Sequence, residues 1–122
     1  MTANPFVILY VEDDDFVRES FAELLETPER RILAVADVAG AREALRENKV
    51  NLLITDLTLG DESGRELARE ALQQNPRLPV IVCSGHDSRE LVRSLGPTAH
   101  ALRKPVELAE LEALIERLAR AT

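Results

Sequence analysis

Five short apolar runs alternate with five amphipathic segments along the 122 residues, and this alternation leaves few possible folds. The strands are predicted at residues 6–11, 31–36, 52–54, 80–83 and 99–102, the last of which is polar enough for an edge strand. The helices are predicted at residues 15–26, 37–48, 63–75, 87–95 and from 106 almost to the end. Strict alternation predicts one α/β domain spanning residues 1–122, with a five-stranded parallel sheet in the order 2-1-3-4-5 and five flanking helices.

Charge and cysteine content exclude several classes of protein. The chain has 22 acidic and 15 basic residues, a net charge of −7, which opposes direct binding to nucleic acid or to an anionic membrane. Its single cysteine, Cys83, rules out an intrachain disulfide and fits a reducing compartment. No apolar run approaches the ~20 residues of a membrane span, and no signal-peptide pattern opens the chain. We therefore expect a cytoplasmic protein.

Acidic residues follow two strands that would be neighbours in this sheet. Glu12 and Asp13 come directly after the first strand, and Asp56 follows the third through Thr55. An acidic run is often only a solvated loop or the start of a helix. Carboxyl ends of adjacent parallel strands meet at one edge, however, so these three carboxylates should converge and repel one another. A hard divalent cation would relieve the repulsion, which predicts a Mg²⁺ site.

Two further strand ends add complementary groups. Ser84 ends the fourth run and Lys104 follows the fifth. A serine before glycine is ordinary turn chemistry, and a single lysine is usually a surface residue. Beside Asp56 as a nucleophile, the Ser84 hydroxyl and the Lys104 ammonium could each contact an oxygen of a phosphoryl group. The set therefore favours phosphoryl transfer to Asp56.

These segments, in this order, resemble the receiver domain of two-component response regulators over essentially the whole chain. The matching segments are residues 8–14, 56–59 with Gly64 eight residues after Asp56, 79–85, and Lys104-Pro105. The resemblance implies a flavodoxin-like doubly wound fold and a cytosolic phosphorylation switch. It also implies a histidine kinase or histidine phosphotransfer protein as the phosphodonor, and a protein as the output partner. The domain would catalyse only its own phosphorylation and dephosphorylation.

The resemblance also assigns roles to individual residues. Glu12 and Asp13 match the acidic pair, Asp56 the phosphoacceptor, Ser84 the switch hydroxyl and Lys104 the lysine of the family motif. The Thr58 carbonyl matches the backbone ligand of Mg²⁺, alongside Asp13 and Asp56, with Glu12 acting through water. A cis Lys104–Pro105 peptide bond is expected as well.

Two positions depart from the receiver pattern. Gly60 stands where receivers usually carry proline, so the loop at 59–63 is expected to be more mobile. Ala101 stands where they carry tyrosine or phenylalanine. Both departures favour a docking module with the receiver fold that is never phosphorylated. The intact acidic pair, Asp56, Ser84 and Lys104 oppose it, because a scaffold has no physical reason to keep mutually repelling acids.

Two other families with related folds are weighed against the receiver. A flavodoxin-like cofactor binder needs a phosphate loop rich in Ser, Thr and Gly where residues 12–15 are all acidic. A phosphatase of the haloacid dehalogenase type needs a second aspartate where Thr58 stands, and a cap insertion.

Overall fold

The computed structural model describes residues 4–121, so the first three residues and the last residue of the expected domain lie outside the description. Five strands form the main sheet: β1 (Phe6–Val11), β2 (Arg30–Val35), β3 (Leu52–Asp56), β4 (Val80–Ser84) and β5 (Ala99–Arg103). Five helices flank it: α1 (Asp15–Leu25), α2 (Val38–Glu47), α3 (Gly64–Gln74), α4 (Arg89–Leu95) and α5 (Leu108–Arg120). None of the described helices is long and apolar enough to cross a membrane.

The sheet is parallel throughout, in the order β2-β1-β3-β4-β5, which confirms the predicted fold class. β2 begins and ends one residue earlier than predicted. β3, β4 and β5 run further than predicted, because backbone pairing continues through polar residues: Asp56 pairs with Cys83 and Ser84 pairs with Arg103. Asp56 and Ser84, which were expected just beyond the strands, are therefore the last paired residues of β3 and β4.

Apolar side chains form one core on each face of the sheet. α2 and α3 pack against one face, where alternate strand residues such as Leu9, Leu53 and Val80 are fully buried. α1 and α5 pack against the other, where Tyr10 and Ile54 lie. Because side chains alternate along a strand, the residues two positions after these two, Glu12 and Asp56, share the α1/α5 face of the sheet.

The structure adds a hairpin that was not predicted. Residues Thr58–Leu59 pair antiparallel with Glu62–Ser63, and Gly60 between them has a φ of 65°, in the left-handed region that favours glycine. The Glu62 carboxylate accepts a hydrogen bond from the Val38 N–H at 3.2 Å, which ties the hairpin to the start of α2. The greater mobility expected for this loop stays a prediction.

α3 begins directly against the end of β3, and only glycine permits this contact. The Gly64 N–H donates to the Leu57 carbonyl at 2.9 Å. A Cβ built on Gly64 would lie 1.8 Å from the backbone oxygen of Asp56 and 3.0 Å from the Thr55 hydroxyl. The backbone that carries Asp56 is therefore positioned by the absence of a side chain at Gly64.

Replacing Gly64 by alanine should lower the free energy of unfolding by at least about 2 kcal/mol, because α3 must move away from β3 to relieve the overlap. Gly85→Ala is the matched control, since a Cβ there meets nothing within 4 Å. Urea unfolding of both variants checks this. Equal stability of Gly64→Ala and Gly85→Ala would contradict the packing described.

Candidate functional site

Three carboxylates meet at the carboxyl edge of the sheet. Glu12, Asp13 and Asp56 each offer one oxygen, and these oxygens all lie within 4.8 Å of one another. Glu12 and Asp56 are buried, at 4% exposed each, whereas Asp13 is exposed. The convergence expected from the strand ends is present, because β1 and β3 are adjacent.

Lys104 brings a positive charge to this cluster. Its ammonium lies 2.9 Å from Asp56 Oδ2 and 3.9 Å from Glu12 Oε1. The Lys104 N–H donates to the Ser84 carbonyl at 2.8 Å, so the end of β4 holds the lysine backbone in place. The Lys104–Pro105 bond is cis, as predicted.

The site perturbs the protonation of its own groups. Burial raises the pKa of Glu12 to about 7; the Asp14 N–H opposes this rise, and the neighbouring Asp56 adds to it. Burial alone would lower the pKa of Lys104, but its hydrogen bond to Asp56 and the charges of Asp56 and Glu12 raise it. Lys104 is therefore held in its charged form beside a carboxyl that readily keeps a proton.

Ser84 and Thr58 lie at the same edge without joining the carboxylate cluster. Within residues 4–121, the buried Ser84 hydroxyl makes its hydrogen bond with the His86 N–H, which donates to it at 3.0 Å, and not with Asp56. Thr58 is exposed at the start of the hairpin, two residues after Asp56. The role of its carbonyl as a ligand of Mg²⁺ stays a prediction.

Sequence reasoning missed two residues that shape the site. The Arg18 guanidinium donates to the Glu12 carbonyl at 3.0 Å and to Asp15 at 2.6 Å, and so braces the turn between β1 and α1. Asp14 caps α1 by accepting from the Val17 N–H at 2.9 Å. An arginine one helical turn after an acidic run was the available signal for the first contact.

Comparison with known proteins identifies the family. A model described as the response regulator receiver domain matches residues 8–116. The chain belongs to the response regulator receiver family. In two-component systems the general role of this domain is to act as a phosphoacceptor.

Two relatives show how the receiver domain is used in whole proteins. The chain is 33% identical over 113 residues to the response regulator receiver protein CpdR of Brucella abortus, covering 91% of this chain and 94% of that protein. It is 34% identical over 125 residues to the transcriptional regulatory protein GltR of Pseudomonas aeruginosa, covering 98% of this chain but only 51% of that protein. A receiver domain of this kind thus makes up nearly all of one relative and about half of the other.

Solved structures agree on the fold. A response regulator receiver protein from Sinorhizobium medicae has a TM-score of 0.85 and 25% identity, with 98% of each chain covered. A CheY-like receiver domain protein from Methanospirillum hungatei has a TM-score of 0.83 and 26% identity, with 96% of each chain covered.

Membership of the receiver family decides against the two alternatives, the flavodoxin-like cofactor binder and the haloacid dehalogenase-type phosphatase.

The raised pKa of Glu12 makes the stability of the metal-free receiver domain depend on pH. Between about pH 4.5 and 7 the folded state binds more protons at Glu12 than the unfolded state does, so its stability falls as pH rises. In EDTA, the free energy of unfolding from urea titrations should fall by on the order of 1–3 kcal/mol from about pH 5 to pH 8.

Glu12→Gln supplies the control, because the amide cannot ionise. It should remove most of this fall, whereas the exposed Glu47→Gln should leave it intact. An equally steep fall in Glu12→Gln would show that Glu12 is not the group responsible.

Proposed function

We propose that Asp56 accepts a phosphoryl group from the phosphohistidine of a histidine kinase or histidine phosphotransfer protein, with Mg²⁺ bound. The phosphorylated domain then changes its binding to a protein partner in the cytoplasm. The observation that carries this proposal is the Asp56 carboxylate, buried between two further carboxylates and 2.9 Å from the Lys104 ammonium. Its own phosphorylation and dephosphorylation are the reactions that we assign to the domain.

The acidic residues suit Mg²⁺. Three carboxylate oxygens within 4.8 Å provide the hard oxygen ligands that this ion prefers, and Mg²⁺ commonly keeps several waters beside one or two carboxylates. Asp13, Asp56 and the Thr58 carbonyl would hold the ion, with Glu12 acting through water. When bound, Mg²⁺ offsets the repulsion between the carboxylates and polarises a phosphoryl oxygen.

Asp56, Lys104 and Ser84 would each have a different role in the phosphoryl transfer. An Asp56 carboxylate oxygen attacks phosphorus, the P–N bond to the donor histidine breaks, and the bonding electron pair stays on the imidazole. Lys104, already charged and at hydrogen-bond distance from Asp56, neutralises one phosphoryl oxygen. The Ser84 hydroxyl accepts a hydrogen bond from the His86 N–H, and its O–H would donate a hydrogen bond to another phosphoryl oxygen.

The readout would begin at Ser84, which is linked to the loop after β4. Its hydroxyl holds the His86 N–H, and the Arg103 guanidinium donates to the Gly85 carbonyl at 3.2 Å. Movement of Ser84 towards a phosphoryl group would therefore shift residues 85–88 and the start of α4. Ala101 is exposed and small, so this route does not depend on an aromatic side chain.

With Mg²⁺ and acetyl phosphate, the protein should gain the mass of one phosphoryl group, because Asp56 attacks small acyl phosphates by the same displacement. Asp56→Asn should gain none, whereas Asp61→Asn, an exposed acid in the nearby hairpin, should behave like the unmodified chain. EDTA added beforehand should abolish the gain. Intact-mass spectrometry measures all four samples.

Two results would contradict this function. Phosphorylation retained in Asp56→Asn would move the acceptor elsewhere. No phosphorylation, together with no binding of beryllofluoride, would favour the docking module that is never phosphorylated.

Lys104→Ala should slow phosphorylation by acetyl phosphate at least about tenfold, because one phosphoryl oxygen loses its charged partner in the transition state. The matched control is Lys49→Ala, which removes the only other lysine, outside the carboxyl edge. Initial rates by intact mass compare the two. Equal rates for both variants would exclude a role for Lys104 in the transfer.

A further inference from the structure

A groove opens between the C-terminal halves of α2 and α3 and encloses about 580 Å³. These helices lead into the starts of β3 and β4, whereas Asp56 ends β3, so the groove lies at the opposite edge of the sheet from the carboxylates. Arg42 of α2 and Glu70 of α3 bridge it with hydrogen bonds of 2.9 and 2.8 Å. They are the first residues of each helix to line the groove, so this pair closes one of its ends.

The floor of the groove is apolar. Ala71 and Leu78 are each 3% exposed, and Leu45 and Val50 are half-buried against the same core cluster. The side chain of Ala71 is a single methyl group, which leaves room between α2 and α3 where a longer side chain would fill the space. Apolar side chains placed on this floor would extend the core and be removed from water.

The rim of the groove is positively charged. Arg46 and Lys49 are both exposed, and among the ion pairs of residues 4–121 neither takes part in one. Arg42, by contrast, is neutralised by Glu70. Arg46 lies in the last turn of α2, where the helix dipole favours a cation, but Lys49 follows the helix. In a chain whose net charge is −7, two positive charges without internal partners on one groove favour an acidic occupant.

The backbone around the groove offers no ladder to a bound segment. β3 is paired with β1 and β4, and β4 is paired with β3 and β5, so neither strand has a free edge. α2 and α3 use their backbone groups within their own helices. An occupant must therefore satisfy its own backbone hydrogen bonds, and a helix does so. A helix can also lay one apolar face between two others.

We propose that this groove binds a short amphipathic helix of a partner protein. Apolar side chains of that helix would contact Leu45, Val50 and Leu78, and acidic side chains beside them would meet Arg46 and Lys49. The apolar contacts supply affinity, and the two positive charges select acidic segments over basic ones. The proposal does not depend on phosphorylation at the other edge of the sheet.

A second copy of this chain lacks such a helix on its surface. Among residues 4–121, the large hydrophobic side chains that are exposed are Phe16 and Leu24, both on α1. They are eight residues apart, so they do not form the stripe of three- and four-residue spacings that packs between helices. The occupant is therefore a segment of another protein.

The test uses a labelled peptide with blocked ends, Glu-Ala-Leu-Glu-Glu-Leu-Leu-Glu-Glu-Leu-Glu-Ala, whose leucines share one face of a helix. Fluorescence anisotropy with the unphosphorylated full chain should show saturable binding, at least about tenfold weakened in the double variant Arg46→Glu, Lys49→Glu. The control double variant Arg93→Glu, Arg117→Glu makes the same charge change at exposed positions on α4 and α5. It should bind within about twofold of the unmodified chain.

The helical form of the occupant has its own readout. A peptide with proline as its eighth residue keeps all four leucines but cannot continue the helix, and it should not bind. The matched peptide with alanine as its eighth residue loses the same charge and should still bind. A peptide with serine in place of every leucine should not bind, because it has no apolar face for the floor.

Four results would overturn the proposal. One is the absence of binding at about 1 mM peptide, and another is a control double variant that weakens binding as much as the groove variant. The third is a proline peptide that binds as tightly as the alanine peptide. The fourth is self-association of the chain in sedimentation that is lost in Arg46→Glu, Lys49→Glu, because a second copy would then be the occupant.

Discussion

The ion pair between Lys104 and Asp56, 2.9 Å long, is the interaction on which the carboxyl edge of the sheet depends. Two of the three carboxylates are buried, and neighbouring like charges in a poorly hydrated site are unfavourable without a partner. Lys104 supplies one positive charge, and burial raises the pKa of Glu12 to about 7, so that this carboxyl readily keeps a proton. A cation bound among the carboxylates, or a phosphoryl group on Asp56, would change the charge balance of this edge.

The fold positions the acidic residues and the groups opposite them by different backbone contacts. Gly64 lets α3 begin against the backbone of Asp56, and the Arg18 guanidinium donates a hydrogen bond to the carbonyl of Glu12. Ser84 and Lys104 instead stand at the ends of β4 and β5, joined by the Lys104 N–H to Ser84 carbonyl bond. Contacts from α1 and α3 thus support the backbone of Glu12 and Asp56, whereas Ser84 and Lys104 are linked to each other.

Apolar periodicity and the residue types at the strand ends were enough to predict the sheet order, the helices and the meeting of Glu12, Asp13 and Asp56. Strand lengths were underestimated because ladder pairing follows the backbone and passes through polar residues such as Ser84. The hairpin at residues 58–63 escaped prediction for another reason, because each of its strands is only two residues long.

The most direct test asks which carboxylate carries the phosphoryl group. After phosphorylation with acetyl phosphate and Mg²⁺, borohydride reduces an aspartyl phosphate to homoserine, which tandem mass spectrometry can place in the sequence. Our account predicts homoserine at position 56 and aspartate unchanged at position 13. Homoserine at Asp13, or at any acid outside this edge, would contradict it, because the Lys104-paired carboxylate would then not be the acceptor.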